Sequence, residues 1–181
     1  MQRVLVIGCS GAGKSTAAAR LSVMMSLPLH HLDQLFWQPG WREVPREQFD
    51  ETLAQVLAGA SWVIDGNYSR TLPQRLEAAD TVLWLDYSTL TCLRGVLTRW
   101  VRFRGRQRPD MGPNCPEKVD GPFLWYVWRW RARHAQPLAQ RLGEARLCGV
   151  DVYRFRRRTQ LEAWLGQLPA AGCADGSRDG A

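Results

Sequence analysis

Residues 8–15 read Gly8-Cys9-Ser10-Gly11-Ala12-Gly13-Lys14-Ser15 and match the Walker A pattern G-x-x-x-x-G-K-[ST] at every fixed position. The largely apolar run 3–7 precedes this loop, and residues 14–25, which contain neither glycine nor proline, follow it. A buried strand, a glycine-rich loop and a helix in that order predict a phosphate-binding P-loop. The stretch therefore predicts an α/β nucleotide-binding fold.

The residue types of the loop explain how it would bind a polyphosphate. Small residues let backbone N–H groups turn inward, and the N-terminus of the following helix adds partial positive charge. We expect Lys14 to reach the β- and γ-phosphates of ATP and to act in catalysis, and Ser15 to give its hydroxyl to Mg²⁺. The expected ATP-binding residues are those of the loop and the first turn after it: Gly8, Ser10, Gly11, Ala12, Gly13, Lys14, Ser15 and Thr16. No base-reading motif separates ATP from GTP.

Strand-like and helix-like segments alternate along the rest of the chain. Continuous apolar runs favour strands, and apolar residues three or four positions apart favour helices. The expected strands are 3–7, 29–32, 61–64, 81–85 and 150–155, and the expected helices are 14–25, 47–58, 72–79, one after Ser88, 122–133 and 159–168. This alternation predicts one domain over residues 1–168, a P-loop NTPase with a five-stranded parallel sheet covered by helices on both faces. The glycine- and alanine-rich tail, 169–181, is expected to be disordered.

Local signals refine the helices and the loop between them. The helix after Ser88 should present its apolar residues on one side: Leu90, Leu93, Leu97, Trp100 and Val101. Pro137 should kink or end the helix that starts at Pro122. Thr159-Gln160-Leu161-Glu162 has the form of a capping box for the last helix. Residues 105–122 lose all periodicity and gather glycine and proline, so we expect an arginine-rich lid over about 103–122.

The net charge of +7 is unevenly distributed. Residues 94–133 contain ten Lys or Arg and three Asp or Glu, whereas the two signs balance in the rest of the chain. Such a basic block predicts an anionic partner, either nucleotide phosphates or a nucleic-acid backbone, with a solvated charged face as the alternative. We expect Arg99, Arg102 and Arg108 to close over the phosphates and to stabilise the transferred phosphoryl group. For each arginine taken alone, an exposed position on a charged helix is the alternative.

Three aspartates follow expected strands, at the edge where open parallel sheets bind their ligands. Asp65 is expected to support Mg²⁺ together with Ser15. Asp33 is expected to contact the acceptor substrate and to orient or deprotonate its hydroxyl group. A loop or helix-cap acid is the alternative for both. Asp86 lies just ahead of Ser88 and is interpreted as a cap of the following helix.

Bulk properties indicate an ordinary cytoplasmic domain. No run approaches the eighteen or so apolar residues of a membrane span, and Met1-Gln2-Arg3 does not begin a signal peptide. Five cysteines, at positions 9, 92, 115, 148 and 173, include no close pair, so neither a zinc ribbon nor a disulfide framework is expected. The histidines at 30, 31 and 134 are interpreted as structural.

Further segments carry a family resemblance. They are His31-Leu32-Asp33-Gln34-Leu35-Phe36-Trp37 with Pro39-Gly40-Trp41, Trp62-Val63-Ile64-Asp65-Gly66-Asn67-Tyr68-Ser69-Arg70, Ala79-Asp80, and Arg106-Gln107-Arg108-Pro109-Asp110-Met111 with Cys115-Pro116-Glu117. With the P-loop, they make the chain similar to the small P-loop kinases related to adenylate kinase. The resemblance is stronger to the bacterial proteins labelled DNA topology modulation protein, and it covers most of residues 1–168.

The resemblance implies roles for two residues after the third strand. Adenylate kinases carry an Asp-Gly-Phe-Pro-Arg segment there, which by similarity places Asp65 near Mg²⁺ and Arg70 on a substrate phosphate, although Asn67-Tyr68-Ser69 replaces Phe-Pro. The implied activity is transfer of the ATP γ-phosphate to a small acceptor, a nucleotide or a nucleoside. The alternative is an ATPase or nucleotide-dependent regulator associated with DNA topology, acting through segment 94–133. No helix-turn-helix or other reader motif supports nucleic-acid binding.

Overall fold

A computed structural model of the chain describes residues 1–106 and 108–168, so the expected disordered tail, 169–181, lies outside the described residues. The strands are β1 (Arg3–Gly8), β2 (Leu29–His31), β3 (Trp37–Gln38), β4 (Arg42–Glu43), β5 (Trp62–Asp65), β6 (Thr81–Leu85) and β7 (Asp151–Phe155). The helices are α1 (Lys14–Met25), α2 (Leu32–Phe36), α3 (Arg46–Leu57), α4 (Leu72–Ala78), α5 (Thr89–Phe103), α6 (Gly121–Leu147) and α7 (Arg158–Leu165).

The main sheet has five parallel strands in the order β2-β5-β1-β6-β7, which confirms the prediction. β1 is central, with Val4 opposite Val63 of β5 on one side and opposite Thr81 of β6 on the other. Every residue of β5 and β6 is buried, as expected for strands covered on both faces. Because the chain crosses from one side of β1 to the other, the loop after β1 lies at the switch point of the sheet.

A small antiparallel ribbon, β3–β4, was not predicted. Its strands have two residues each, too few for a periodic pattern. The ribbon joins α2 to α3, beside the carboxyl end of β2.

The apolar residues expected on one side of α5 do not form its buried face. Cys92 and Val96 face the core, whereas Leu97 is 47% exposed and Val101 71%. The reason is the contact of α5 with the P-loop, where an added Cβ at Gly95 would lie 2.0 Å from the carbonyl oxygen of Gly11. The helix therefore docks through its small residues and leaves much of its larger apolar stripe outside.

Pro137 does not end α6, which runs from Gly121 to Leu147. A proline inside a helix removes one hydrogen bond and costs about 3 kcal/mol. Leu138 and Leu142 are buried beyond it, and burial of such side chains contributes about 1.5–3 kcal/mol each. This burial offsets the cost of the proline.

The expected capping box of α7 is also wrong, because the helix starts earlier. Gln160 Oε1 accepts hydrogen bonds from the backbone N–H groups of Arg156 and Arg157, at 2.8 and 3.1 Å. Glu162 instead pairs with Arg20 of α1 at 2.6 Å. Elsewhere in the fold, no helix within the described ranges combines the length and apolarity needed to cross a membrane.

Candidate functional site

The P-loop has the backbone geometry that its glycines predict. Gly11 and Gly13 adopt left-handed φ angles of 80° and 90°, and the N–H of Ala12 donates to the carbonyl of Cys9 at 3.1 Å. Lys14 Nζ donates to the same carbonyl at 3.2 Å, so the ammonium group lies against its own loop. A loop bent in this way, followed directly by α1, suits an anion.

Asp65 joins the P-loop to the end of β2. Its carboxylate accepts a hydrogen bond from Ser15 Oγ at 2.7 Å and contacts His31 Nδ1 through its other oxygen. Burial lowers the pKa of His31, but the hydrogen bond and charge of Asp65 outweigh this, and the pKa is raised overall. The structure thus brings Ser15 and Asp65 together as the sequence predicted. His31, interpreted only as structural, is the partner that orients the carboxylate.

Asp33 lies in the first turn of α2, because β2 ends at His31. The expectation that Asp33 directly follows a strand is therefore wrong. Its carboxylate accepts a hydrogen bond from the hydroxyl of Tyr68 at 2.7 Å. The Tyr68 ring packs against Phe36 and Phe49, with centroid distances of 4.9 and 5.5 Å. Burial and then the charge of Asp33 raise the pKa of Tyr68, so the phenol stays protonated and holds the carboxylate in place.

The loop after β5 is held by two residues that the sequence did not single out. Asn67 Oδ1 accepts a hydrogen bond from the N–H of Gly8 at 3.1 Å and so fixes the start of the P-loop. Arg75, fully buried, donates to the carbonyls of Gly66 and Tyr68 at 3.0 and 2.9 Å. Burial lowers the pKa of Arg75 to about 10. Neither role has a signal in spacing, because both depend on carbonyl and amide groups exposed by the turn.

Arg70 lies at the surface in an ion pair with α3. Its two terminal nitrogens donate to the carboxylate of Asp50 at 2.9 and 2.6 Å, and both side chains are more than 40% exposed. The expected phosphate-binding arginine is therefore paired with a carboxylate in this structure.

The segment between α5 and α6 brings two of the three expected lid arginines together. Arg99 Nε donates to Glu117 Oε1 at 2.8 Å, and Arg108 Nε lies 3.0 Å from Glu117 Oε2. The Glu117 side chain is 3% exposed, so this cluster is sheltered from water. Arg102 does not join them, because it is exposed and its guanidinium lies over the Phe103 ring, 5.5 Å from the centroid.

This segment also contacts the ribbon and the P-loop. Gln34 Nε2 donates to the Pro109 carbonyl at 2.6 Å, and Cys115 Sγ to the Gln38 carbonyl at 3.4 Å. Burial raises the pKa of Asp110, but the charge of Arg108 and the nearby hydroxyl of Ser15 outweigh it, so the pKa is lowered. The Asp110 carboxylate therefore lies near the serine of the P-loop.

Asp86 is not a helix cap. Ser88 itself caps α5, accepting from the N–H of Thr91 at 3.3 Å. The Asp86 side chain is fully buried and binds Arg131 at 3.2 Å and Arg154 at 2.6 Å. The backbone N–H of Asp86 donates to the carbonyl of Phe155, so the β6–β7 hydrogen bonds extend one residue beyond β6. Asp86 is thereby held beside β7, which carries Arg154.

Comparisons with known proteins identify the fold. No protein-family model matches the chain, and no curated protein matches it. Among solved structures, a deoxyadenosine kinase from M. mycoides with bound dATP aligns with a TM-score of 0.51 and 15% identity, covering 91% of this chain and 97% of that chain. The same kinase with products dCMP and dCDP gives a TM-score of 0.47 and 16% identity, covering 91% and 96%. The first of these alignments and the order of the strands show that the chain has the same α/β fold as that deoxyadenosine kinase.

Proposed function

We propose that this chain is a P-loop phosphotransferase that moves the γ-phosphate of MgATP to a small acceptor, a nucleoside or a nucleotide. The observation that carries the proposal is the hydrogen bond between Ser15 and Asp65. Ser15 directly follows Lys14 in the first turn of α1, at the end of the P-loop. A hydroxyl and a carboxylate beside such a loop are the ligands that a nucleotide-bound Mg²⁺ uses in this type of site.

The residues present fit magnesium as an ion that enters with the nucleotide. Within the described residues, no group of three or more His, Cys, Asp or Glu is arranged to hold a metal ion. Ser15 and Asp65 would hold Mg²⁺ jointly with phosphate oxygens, and His31 would keep the carboxylate oriented. The ion would neutralise charge on the β- and γ-phosphates.

Asp33 is the proposed base for the acceptor. In the transfer step, the acceptor hydroxyl oxygen bonds to the γ-phosphorus, the bond to the β–γ bridging oxygen breaks, and ADP leaves. The hydroxyl proton passes to Asp33, whose carboxylate Tyr68 holds in place. A nucleotide acceptor would also recruit Arg70, which would exchange Asp50 for a phosphate group.

Arg99 and Arg108 are the proposed cations for the moving phosphoryl group. Glu117 holds both in a sheltered cluster, where positive charge is most effective because water is excluded. Arg102 is exposed and would join them only after the segment shifts. We place the activity in the cytoplasm, with ATP as the donor.

The test is phosphoryl transfer by the purified chain with MgATP and a panel of nucleosides, nucleotides and small alcohols, followed by ADP release. Lys14→Ala should abolish transfer and leave the thermal melting of the nucleotide-free protein nearly unchanged, since the hydrogen bond of the Lys14 ammonium group is to the Cys9 carbonyl of its own loop. ATP binding without transfer to any member of the panel would contradict the proposal.

One observation favours the second candidate, a nucleic-acid-associated ATPase or topology regulator. Several arginines of segment 94–133 have no carboxylate partner among the residues that the structure describes: Arg94, Arg102, Arg104, Arg106, Arg129 and Arg133. Binding through them would weaken steeply with salt. No retention on single- or double-stranded DNA or RNA at physiological salt would remove this candidate.

A further inference from the structure

A half-enclosed cavity of about 190 Å³ lies between α6 and the loop that follows β5. One wall consists of rings from α6, namely Tyr126, Trp130 and His134, and the opposite wall includes Ile7 and Leu72. Within the aromatic wall, His134 lies 5.6 Å from Trp130 and 6.4 Å from Tyr126, measured between ring centroids. The rings offer an apolar surface on which a planar ligand can stack.

The rim of the cavity supplies a few polar groups. Asn67 and Ser69 lie on the loop after β5, and His134 and Arg141 lie on α6. Asn67 Oδ1 already accepts from Gly8, so its amide NH₂ remains to donate to a ligand. Apolar walls with a small number of polar groups are typical of small-molecule sites.

The cavity adjoins the proposed reaction centre. Ile7 immediately precedes Gly8 of the P-loop, and Asn67 bonds to Gly8 directly. A ligand in the cavity would therefore have one end beside the start of the P-loop.

The size of the cavity selects the size of the ring. An apolar cavity of about 150 Å³ is known to bind benzene, a single six-membered ring. The cavity volume here, about 190 Å³, exceeds that value by little more than the volume of one or two ring substituents. A fused bicyclic purine would extend beyond the enclosed part of the cavity, into its open mouth.

We propose that this cavity is the base subsite of the acceptor and that it takes the single ring of a pyrimidine nucleoside. The inference rests on the proposed function, since the nucleoside hydroxyl is the group that would attack the γ-phosphorus while its proton moves to Asp33. The ring stacks on the exposed rings of Tyr126 and His134, and Asn67 and Ser69 read its polar edge.

The test uses binding and transfer separately. Titration calorimetry without ATP measures the affinity of the full chain for thymidine, deoxycytidine, adenosine and guanosine. Ser69→Phe places a ring in the mouth of the cavity, and Thr98→Phe makes the same change on the exposed side of α5, away from the cavity. His134→Ala removes part of the stacking wall without adding bulk. Affinity for MgATP and thermal melting are measured for each variant.

We expect pyrimidine nucleosides to bind at least about tenfold more tightly than purine nucleosides, and Ser69→Phe to weaken that binding by at least about tenfold. Thr98→Phe should leave it unchanged, and MgATP affinity should stay within about twofold in all variants. Equal or stronger purine binding overturns the inference, as does pyrimidine binding that Ser69→Phe and His134→Ala both leave intact.

The two proposals fail in different ways. If the chain transfers phosphate to a nucleoside and Ser69→Phe leaves the KM for that nucleoside unchanged, the kinase proposal stands and the subsite proposal fails. If Ser69→Phe abolishes pyrimidine binding but the chain transfers phosphate to no acceptor, the cavity is a pyrimidine site and the kinase proposal fails.

Discussion

Asp65 shows how much of the site depends on one carboxylate. It ends β5 with 4% of its surface exposed and bonds to Ser15 of the P-loop and to His31 of β2. Its two oxygens are therefore fixed in direction before any ligand arrives. In the proposed site, a residue placed in this way would orient both the metal and the loop that would hold the phosphates.

Asp65→Asn should preserve the shape of this contact and remove its charge. We expect phosphoryl transfer to fall by roughly 100-fold and the Mg²⁺ concentration for half-maximal rate to rise, because an amide is a poor ligand for a hard cation. ADP release measured over a magnesium titration checks both effects. Asp151→Asn, at an exposed position on the edge strand, is the control and should change neither. An unchanged magnesium dependence in Asp65→Asn would contradict the assignment.

At the residue scale, the sequence pointed to Lys14, Ser15 and Asp65 of the candidate site but not to the residues that contact them. Lys14 and Ser15 are fixed by a local pattern, and Asp65 by its place at a strand end. His31 contacts Asp65 across 34 residues and Asn67 contacts Gly8 across 59, so no local pattern could pair them. Such contacts become visible only when the order of the strands is known.

α5 and the P-loop meet at two glycines, and the contact is as close as backbone allows. A Cβ at Gly95 would lie 2.0 Å from the Gly11 carbonyl oxygen. We expect Gly95→Ala to push the helix away from the loop, to lower the free energy of unfolding by about 1–3 kcal/mol, and to weaken ATP binding. Urea unfolding and calorimetry with an ATP analogue measure the two effects.

A second helical glycine provides the matched control. Gly143 of α6 has nothing within 4 Å of an added Cβ. Gly143→Ala should therefore stabilise the protein by about 0.5–1 kcal/mol, since alanine loses less backbone entropy in a helix. Equal effects of the two substitutions would mean that the close approach of α5 does not matter.

The segment between α5 and α6 is held by Glu117, which bonds to Arg99 and lies beside Arg108. Glu117→Gln should release both arginines, because an amide cannot balance two buried cations. We expect faster cleavage by trypsin in segment 104–120 and a higher KM for the acceptor, with ATP affinity little changed. Lys118→Gln, exposed at the next position, is the control. Cleavage that remains as slow as in the parent chain would argue against this role.

At the element scale, burial on both faces explains which predictions were right. The three inner strands of the main sheet, β1, β5 and β6, are largely apolar runs because both of their faces are covered, whereas the edge strands β2 and β7 are only partly buried. The buried face of α5 was not predicted, because a helix that touches backbone needs small residues there, and Cys92, Gly95 and Val96 do not form the strongest apolar stripe. The presence of a helix can be predicted from its apolar periodicity. The face that it buries also depends on the shape of the element that packs against it.

At the scale of the whole molecule, the parallel sheet separates function from stability. The P-loop, Asp33 and Asp65 all lie at the carboxyl ends of the strands. At this edge the strand order switches from one side of β1 to the other. The opposite edge has another aspartate, Asp80, just before β6. Changes at that edge should alter the stability of the fold and leave the proposed chemistry intact.

Asp80 joins the start of β1 to the start of β6. Its carboxylate accepts hydrogen bonds from the N–H groups of Gln2 and Arg3, at 2.7 and 2.9 Å, and from the Thr81 hydroxyl at 2.7 Å. Burial raises the pKa of Asp80, but these hydrogen bonds outweigh it, so the pKa lies below its ordinary value. A depressed carboxyl pKa in the folded state stabilises the protein above the unfolded pKa of about 3.9. That stability is lost as the pH falls through the folded value.

Asp80→Asn should therefore lower the free energy of unfolding by about 1–2 kcal/mol at pH 7, with no change in the rate of ADP release. The difference from the parent chain should stay constant down to about pH 5 and then shrink as the pH drops below about 4, because the parent carboxyl becomes protonated and loses the same charge. Urea unfolding of both proteins at pH 7, 5, 4 and 3 measures this. A difference that persists undiminished at pH 3 would mean that Asp80 acts through its shape alone. A reduced rate of ADP release would mean that the two edges of the sheet are coupled.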